Sequence, residues 1–209
     1  LVAAIADAHA AASAVPNDDD PHWATDGTHP ACTIVVAVAT GTAVHTANVG
    51  DARAHLLTPS VGGDAWIATQ LTTDDSVAAQ AVAQGIDADI ALNLPGGHGI
   101  TAWLGADAHD VDPNVATHDA APGDVLAVCS DVLWNYAPTD EAMGELLTAT
   151  LPPPGTPTEP LAELSERLVS WAVDQGGADN ITVALTSLPG PAPAGRTDDV
   201  ELTELEDNA

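Results

Sequence analysis

The sequence has no lysine and no phenylalanine, and its three arginines (Arg53, Arg167 and Arg196) face 31 Asp and Glu, for a formal charge of −28. Without clustered cations there is nothing to displace counterions from a phosphate backbone, so nucleic acid is excluded as a partner. An anionic membrane surface is excluded on the same ground. No apolar run is long enough to span a bilayer. Only two cysteines are present, Cys32 and Cys129, far apart and without metal-ligand spacing. Each lies beside an apolar run, which reads as two buried free thiols in a reducing compartment, and the expected localisation is cytoplasmic. The first residues, Leu1 to Ala14, superficially resemble a signal sequence. They lack a basic start and carry Asp7 and His9, so they read as a helix.

What is present builds a core. Apolar residues make up 45% of the 209, dominated by Ala and Val with five Trp and one Tyr. That content argues against a disordered acidic chain. It favours a folded, halophile-like protein whose acidic surface is screened by high ionic strength. The length fits one domain, expected over residues 1–188, followed by a Pro/Gly-rich linker and an acidic disordered tail over 189–209.

Leu1 to Val15 has helical apolar spacing and ends at Pro16. The loop that follows contains Asp18-Asp19-Asp20, read as solvated acids because no calcium-loop pattern completes them. Strands are expected at Thr33–Ala39, Ala43–Val49, residues 52–58, Trp66–Leu71, Val115–Asp119, Val125–Cys129 and Ile181–Leu188. Helices are expected at Ser76–Gln84 (capped by Thr73 or Asp74), in a short piece within 86–100, from about Val132, at Thr139–Thr150 and at Leu161–Asp174. Hairpins, then helices, then returning strands, without βαβ alternation, indicate an α+β fold with antiparallel sheets covered by helices.

Three carboxylates share one context. Asp51 follows Gly50 at a strand–strand turn, Asp131 ends a buried strand, and Asp179 precedes one. The alternative for Asp131 is a helix cap. Acids at strand ends that converge on one rim repel each other unless a cation lies between them. All-oxygen donors select a hard ion, Mg²⁺, Mn²⁺ or Ca²⁺. Arg53, so close to Asp51, makes an Asp51–Arg53 pair the arrangement to test.

Five segments, in order, resemble the metal-dependent protein phosphatases (PPM, the type-2C serine/threonine phosphatases). Gly50-Asp51-Ala52-Arg53 is similar to that family's Gly-Asp-Ser-Arg. Leu71-Thr72-Thr73-Asp74-Asp75-Ser76 is similar to its LTxDHS, and Ile100-Thr101-Ala102-Trp103-Leu104-Gly105 to its ITRxLG. Ser130-Asp131-Val132 resembles Ser-Asp-Gly, and Asp179-Asn180-Ile181-Thr182-Val183 resembles Asp-Asn-Ile-Thr-Val. The resemblance implies a β-sandwich of two antiparallel sheets flanked by helices in α-β-β-α layers. It implies two Mg²⁺ or Mn²⁺ ions, with Asp131 and Asp179 as ligands and Asp51 beside them, supported by Gly50, Ser130 and Asn180. It further implies hydrolysis of phosphoserine or phosphothreonine by a cation-activated water, with residues 86–100 as a flap. The substrate is then a phosphoprotein, a target of a serine/threonine kinase, and the enzyme a monomer.

Two departures from the pattern stand out. The family's N-terminal strands, with their Asp-Gly metal motif, have no counterpart here. The domain is therefore expected to be N-terminally incomplete and inactive alone, or to be a non-catalytic phosphatase-like binding domain. Asp26-Gly27 lies in the wrong place to replace that motif. Val132 stands at the family's Gly, and if that turn needs positive φ, Val132 weakens the metal site.

Overall fold

The Val- and Ile-rich segments pair into two antiparallel sheets packed face to face. The computed structural model describes residues 1–15, 29–109, 111–156 and 160–188; the expected tail, Asp18-Asp19-Asp20 and Asp26-Gly27 lie outside the described residues. In chain order come α1 (Val2–Ser13), β1 (Ala31–Cys32), β2 (Ile34–Thr40), β3 (Ala43–Val49), β4 (Arg53–Pro59) and β5 (Trp66–Gln70). Then follow α2 (Val77–Ala83), α3 (Ala88–Leu92), β6 (Leu104–Gly105), β7 (Asn114–Asp119) and β8 (Val125–Cys129). The chain continues through α4 (Asp131–Tyr136), α5 (Asp140–Thr150), α6 (Leu161–Gln175) and β9 (Val183–Ser187). One sheet has the order β2-β3-β7 and the other β5-β4-β8-β9; β1 and β6 form a separate ribbon.

Period-two alternation assigns each face. Ala54 and Leu56 of β4 and Leu126 and Val128 of β8 meet Val35, Ala37 and Val44 of the opposite sheet. The alternate residues Leu57, Val125, Ala127 and Cys129 face Trp134, Met143, Leu147, Leu164 and Leu168 from α4, α5 and α6. On the far side, Ile5, Ala8 and Ala12 of α1 cover Ala47 and Val49 of β3. The layers are α-β-β-α, as the sequence leads one to expect. Alanine brings little apolar area, so most of the burial energy comes from the leucines and tryptophans, at about 1.5–3 kcal/mol per fully buried large side chain.

The edge of the four-stranded sheet at β5 is sealed by α5. Trp66 N donates to Thr148 Oγ1 at 2.9 Å and Gln70 N to Asp140 Oδ1 at 2.9 Å. Gly144 permits this approach, since a Cβ there would lie 3.1 Å from Trp66 O. At the other end of the sheet, β9 pairs with β8 alone among the described residues.

Several local expectations are corrected. The cap of α2 is neither Thr73 nor Asp74 but Ser76, whose hydroxyl accepts from Ala79 N. Asp131 does not cap α4; it is the first residue of that helix, with Ser130 at the cap position. Val132 is therefore helical and 4% exposed, not strained in a turn. Helical φ is negative, so β-branching carries no left-handed penalty there. Cys32 is exposed and only Cys129 is buried; both thiols are free. No helix among the described residues is long and apolar enough to cross a membrane.

Candidate metal centre

The β3–β4 turn delivers Asp51. Gly50 has φ +100°, and a Cβ there would run into Thr33 Cγ2, so glycine is required for both reasons. Asn48 Nδ2 donates to Gly50 O at 3.1 Å and to Thr73 O at 2.7 Å, tying the turn to the segment before α2. On the other side of the acid, Trp134 Nε1 donates to Asp51 O at 2.8 Å. The backbone of an acid only 8% exposed is thus fixed from two directions.

The β8–α4 junction delivers Asp131. Its neighbour Ser130 stitches this junction to the turn before β9. Ser130 Oγ donates to Asn180 O at 3.2 Å and accepts from Thr182 N at 3.0 Å, while Ser130 N donates to Thr182 O at 3.0 Å. The Asp131 and Asp179 turns are therefore neighbours. The Asp179 carboxylate folds back on its own turn, where Oδ1 accepts from Asn180 N at 2.7 Å and from Asn180 Nδ2 at 3.2 Å.

Asp51 and Asp131 interact directly through their charges. Burial first, and then the charge of Asp131, push the Asp51 carboxyl up from 3.8 to about 6. The Arg53 charge offsets this only weakly, as the last of the causes, and Arg53 forms no ion pair with Asp51. The pair expected with Asp51 is made with Asp74 instead: Arg53 Nε lies 3.1 Å from both Asp74 oxygens and Nη2 lies 2.7 Å from Oδ2. Arg53 is the first residue of β4, on the face toward the helices, where its guanidinium stacks 3.6 Å above the Trp134 ring. Nη1 donates to Pro138 O at 3.1 Å, so the cation is held by three segments. Beside it, a cavity of about 400 Å³ is floored by Arg53, Gln70 and Asp74 and walled by Ala79, Val82 and Leu92 of α2 and α3. From the loop after α3, His98 stacks on Trp134 with ring centroids 6.5 Å apart.

The donor chemistry of Asp51 and Asp131, hard oxygens in mutual repulsion, fits a divalent cation such as Mg²⁺ or Mn²⁺. It fits one flank of such an ion. Among the described residues no three His, Cys, Asp or Glu side chains are gathered as a metal site, so a two-ion centre needs further donors. Sequence reasoning singled out Asp51, Asp131 and Asp179. It missed Asn48, Asp75 and Trp134, which hold the Gly50–Asp51 turn, Asn114, which holds Asp75, and Asp74, which holds Arg53. One signal was available for Asp74. A chain with three arginines that buries one must also bury an acid to meet it.

The chain is similar to known protein phosphatases. The serine/threonine phosphatase Stp of Listeria monocytogenes is 33% identical over 155 residues, covering 73% of this chain and 55% of Stp. The serine/threonine phosphatase of S. agalactiae matches with a TM-score of 0.65 at 25% identity, over 88% of this chain and 67% of that one. The catalytic domain of PstP, solved in complex with two manganese ions, matches with a TM-score of 0.50 at 26% identity, over 75% of this chain and 58% of that one. No family model matches the chain. The chain spans about half the length of the curated relatives it matches. With the five segments in order on a shared fold, it belongs to the metal-dependent protein phosphatase (PPM) family.

Proposed function

We propose that this chain acts in the metal-dependent hydrolysis of phosphoserine and phosphothreonine in proteins. The observation that carries the reading is the buried Asp51 carboxyl, raised by burial and by the charge of half-buried Asp131, with Arg53 committed to Asp74. Asp131, Asp51 and Asp179 hold the cations, Mg²⁺ or Mn²⁺. When bound, these supply Lewis acidity toward the phosphoryl oxygens and lower the pKa of water. The chain's own residues fix the donors. Gly50 allows the turn, Ser130 and Asn180 join the Asp131 and Asp179 turns, and Trp134 holds the Asp51 carbonyl. The cavity between β5 and the α2–α3 segment receives polypeptide next to the phosphorylated residue. Substrates are phosphoproteins made by a serine/threonine kinase, and the −28 charge keeps nucleic acid away. Two free thiols support a cytoplasmic setting, and the acidic surface supports salt adaptation and a monomer.

One observation favours a second reading, a phosphatase-like domain that binds a cation or a phosphoprotein without turnover: the described residues gather no three-donor site. A single assay separates the two. The chain is incubated with a phosphothreonine peptide and Mn²⁺ in molar salt, with Asp131→Asn and Asp179→Asn as controls. Phosphate release lost in both variants supports catalysis. Mn²⁺ binding without release supports the second reading. Neither release nor binding overturns both.

A further inference from the structure

Asp75 uses every polar atom it has at the base of the acid turn. Its Oδ2 accepts from Gly50 N at 2.9 Å and its Oδ1 from Asn114 Nδ2 at 2.8 Å. Its own N donates to Gly50 O at 3.0 Å, and its O accepts from Thr101 N at 2.8 Å. Gly50 is thereby gripped at both its N–H and its carbonyl by one residue. The next residue, Ser76, bridges to Ile100. Asp75 thus joins three segments: the turn that aims Asp51, the start of β7, and both ends of the 77–99 excursion that forms the wall of the cavity.

The direction of the Asp51 side chain follows from the two peptides around it. Trp134 fixes the one after it; the Asp75 N–H fixes the one before it, on Gly50 O, and the Asp75 carboxylate fixes the next peptide back, on Gly50 N. A carboxylate accepting from a backbone N–H makes a stronger bond than a neutral acceptor. The LTxDHS segment of the family has His at this position, so the carboxylate is a feature of this chain.

We propose that Asp75 is a positioning residue for the cation site: its carboxylate on Gly50 N–H aims Asp51 at Asp131 and links that aim to the flap through Thr101. The proposal rests on the reading of Asp51 and Asp131 as divalent-cation donors. Residues that orient metal ligands cost about 10–100-fold in metal affinity when removed.

The test is Mn²⁺ titration of the full chain by electron paramagnetic resonance of the free ion, at a temperature where every variant is folded, with amide exchange of Gly50 recorded alongside. Asp75→Ala is expected to weaken Mn²⁺ at least about tenfold and to speed Gly50 exchange. Asp75→Asn, which keeps one carbonyl oxygen for Gly50 N–H, is expected to stay within a few-fold of the unaltered chain. Asp174→Ala, an exposed acid on α6, controls for loss of charge and is expected to leave affinity unchanged. A purely structural role lowers the melting temperature without moving affinity, and that result overturns the proposal. Equal losses in Asp75→Ala and Asp75→Asn also overturn it, since charge and not position would then matter. If Asp75→Ala does not fold, Asn114→Ala decides: it removes one of the carboxylate's two anchors, so a smaller loss of affinity is expected and an unchanged affinity overturns the idea. Failure of the unaltered chain to bind Mn²⁺ overturns the underlying reading and the proposal together, a pattern distinct from the others.

Discussion

His55→Leu tests the most costly polar group in the core. His55 lies on β4 between Gln70 and Ala127 of the flanking strands, 1% exposed, with neither ring nitrogen hydrogen-bonded. Burial first, and then the positive charge of Arg53, hold its pKa down from 6.5 to about 4. The folded imidazole stays neutral while the unfolded one takes up a proton below pH 6.5. Its contribution to stability is therefore whole above pH 6.5 and is lost progressively as the pH falls toward 4. At about 1.36 kcal/mol per pH unit, the gap is worth about 3 kcal/mol. Asp51 runs the other way: its raised pKa makes its contribution whole below 3.8 and lost as the pH rises through about 6. Asp51 is common to both proteins, so the difference between parent and variant isolates His55. Leucine also relieves two orphaned nitrogens, about 1–3 kcal/mol for such a group, against a repacking cost of about 1.5 kcal/mol or less. Urea unfolding followed by tryptophan fluorescence, from pH 7 to 4.5 in molar salt, measures the difference. The advantage of His55→Leu should grow by about 2–3 kcal/mol from the upper to the lower pH. Parallel curves would refute the account.

Two further outcomes are expected. Val132→Gly, although it restores the family's residue, should cost about 2–3 kcal/mol in chemical denaturation, because it removes a buried side chain from a helix and introduces its second-worst former; a rise in Mn²⁺ affinity without that loss would contradict the helical placement. The melting temperature should climb steeply with KCl, as the screening length falls from about 10 Å at 0.1 M to about 3 Å at 1 M and relieves the repulsion of a −28 chain; a flat response would mean that repulsion among the acids does not limit stability.

The long strands and the layer order were legible because Val- and Ile-rich runs alternate and because turns such as Thr40-Gly41-Thr42 are local signals. The ribbon of Ala31–Cys32 with Leu104–Gly105 was not, since two-residue strands exist only through pairing across the fold. The α2 cap was misplaced for a related reason. Asp74 looks like a cap in its own neighbourhood, but its carboxylate is taken by Arg53, 21 residues away. The same limit applies to the acids. Their types and strand-end positions could be read from the sequence. That the charge of Asp131 reaches Asp51 while the Asp179 carboxylate bonds to its own turn depends on how the turns meet across the fold, and no spacing encodes that.

The helix laid along β5 gives the four-stranded sheet a direction of growth. Thr148 and Asp140 occupy the backbone donors that a fifth strand at β5 would need, and Gly144 holds the helix too close for one to enter. Among the described residues β9 pairs with β8 alone, and no strand lies beyond it. Any polypeptide that lengthens this sheet, from the same chain or another, must add past β9, next to the strand whose leading turn carries Asp179 and Asn180. Extension of the sheet would therefore place new chain beside the strand that follows the Asp179 turn, and not beside the opposite edge that α5 covers.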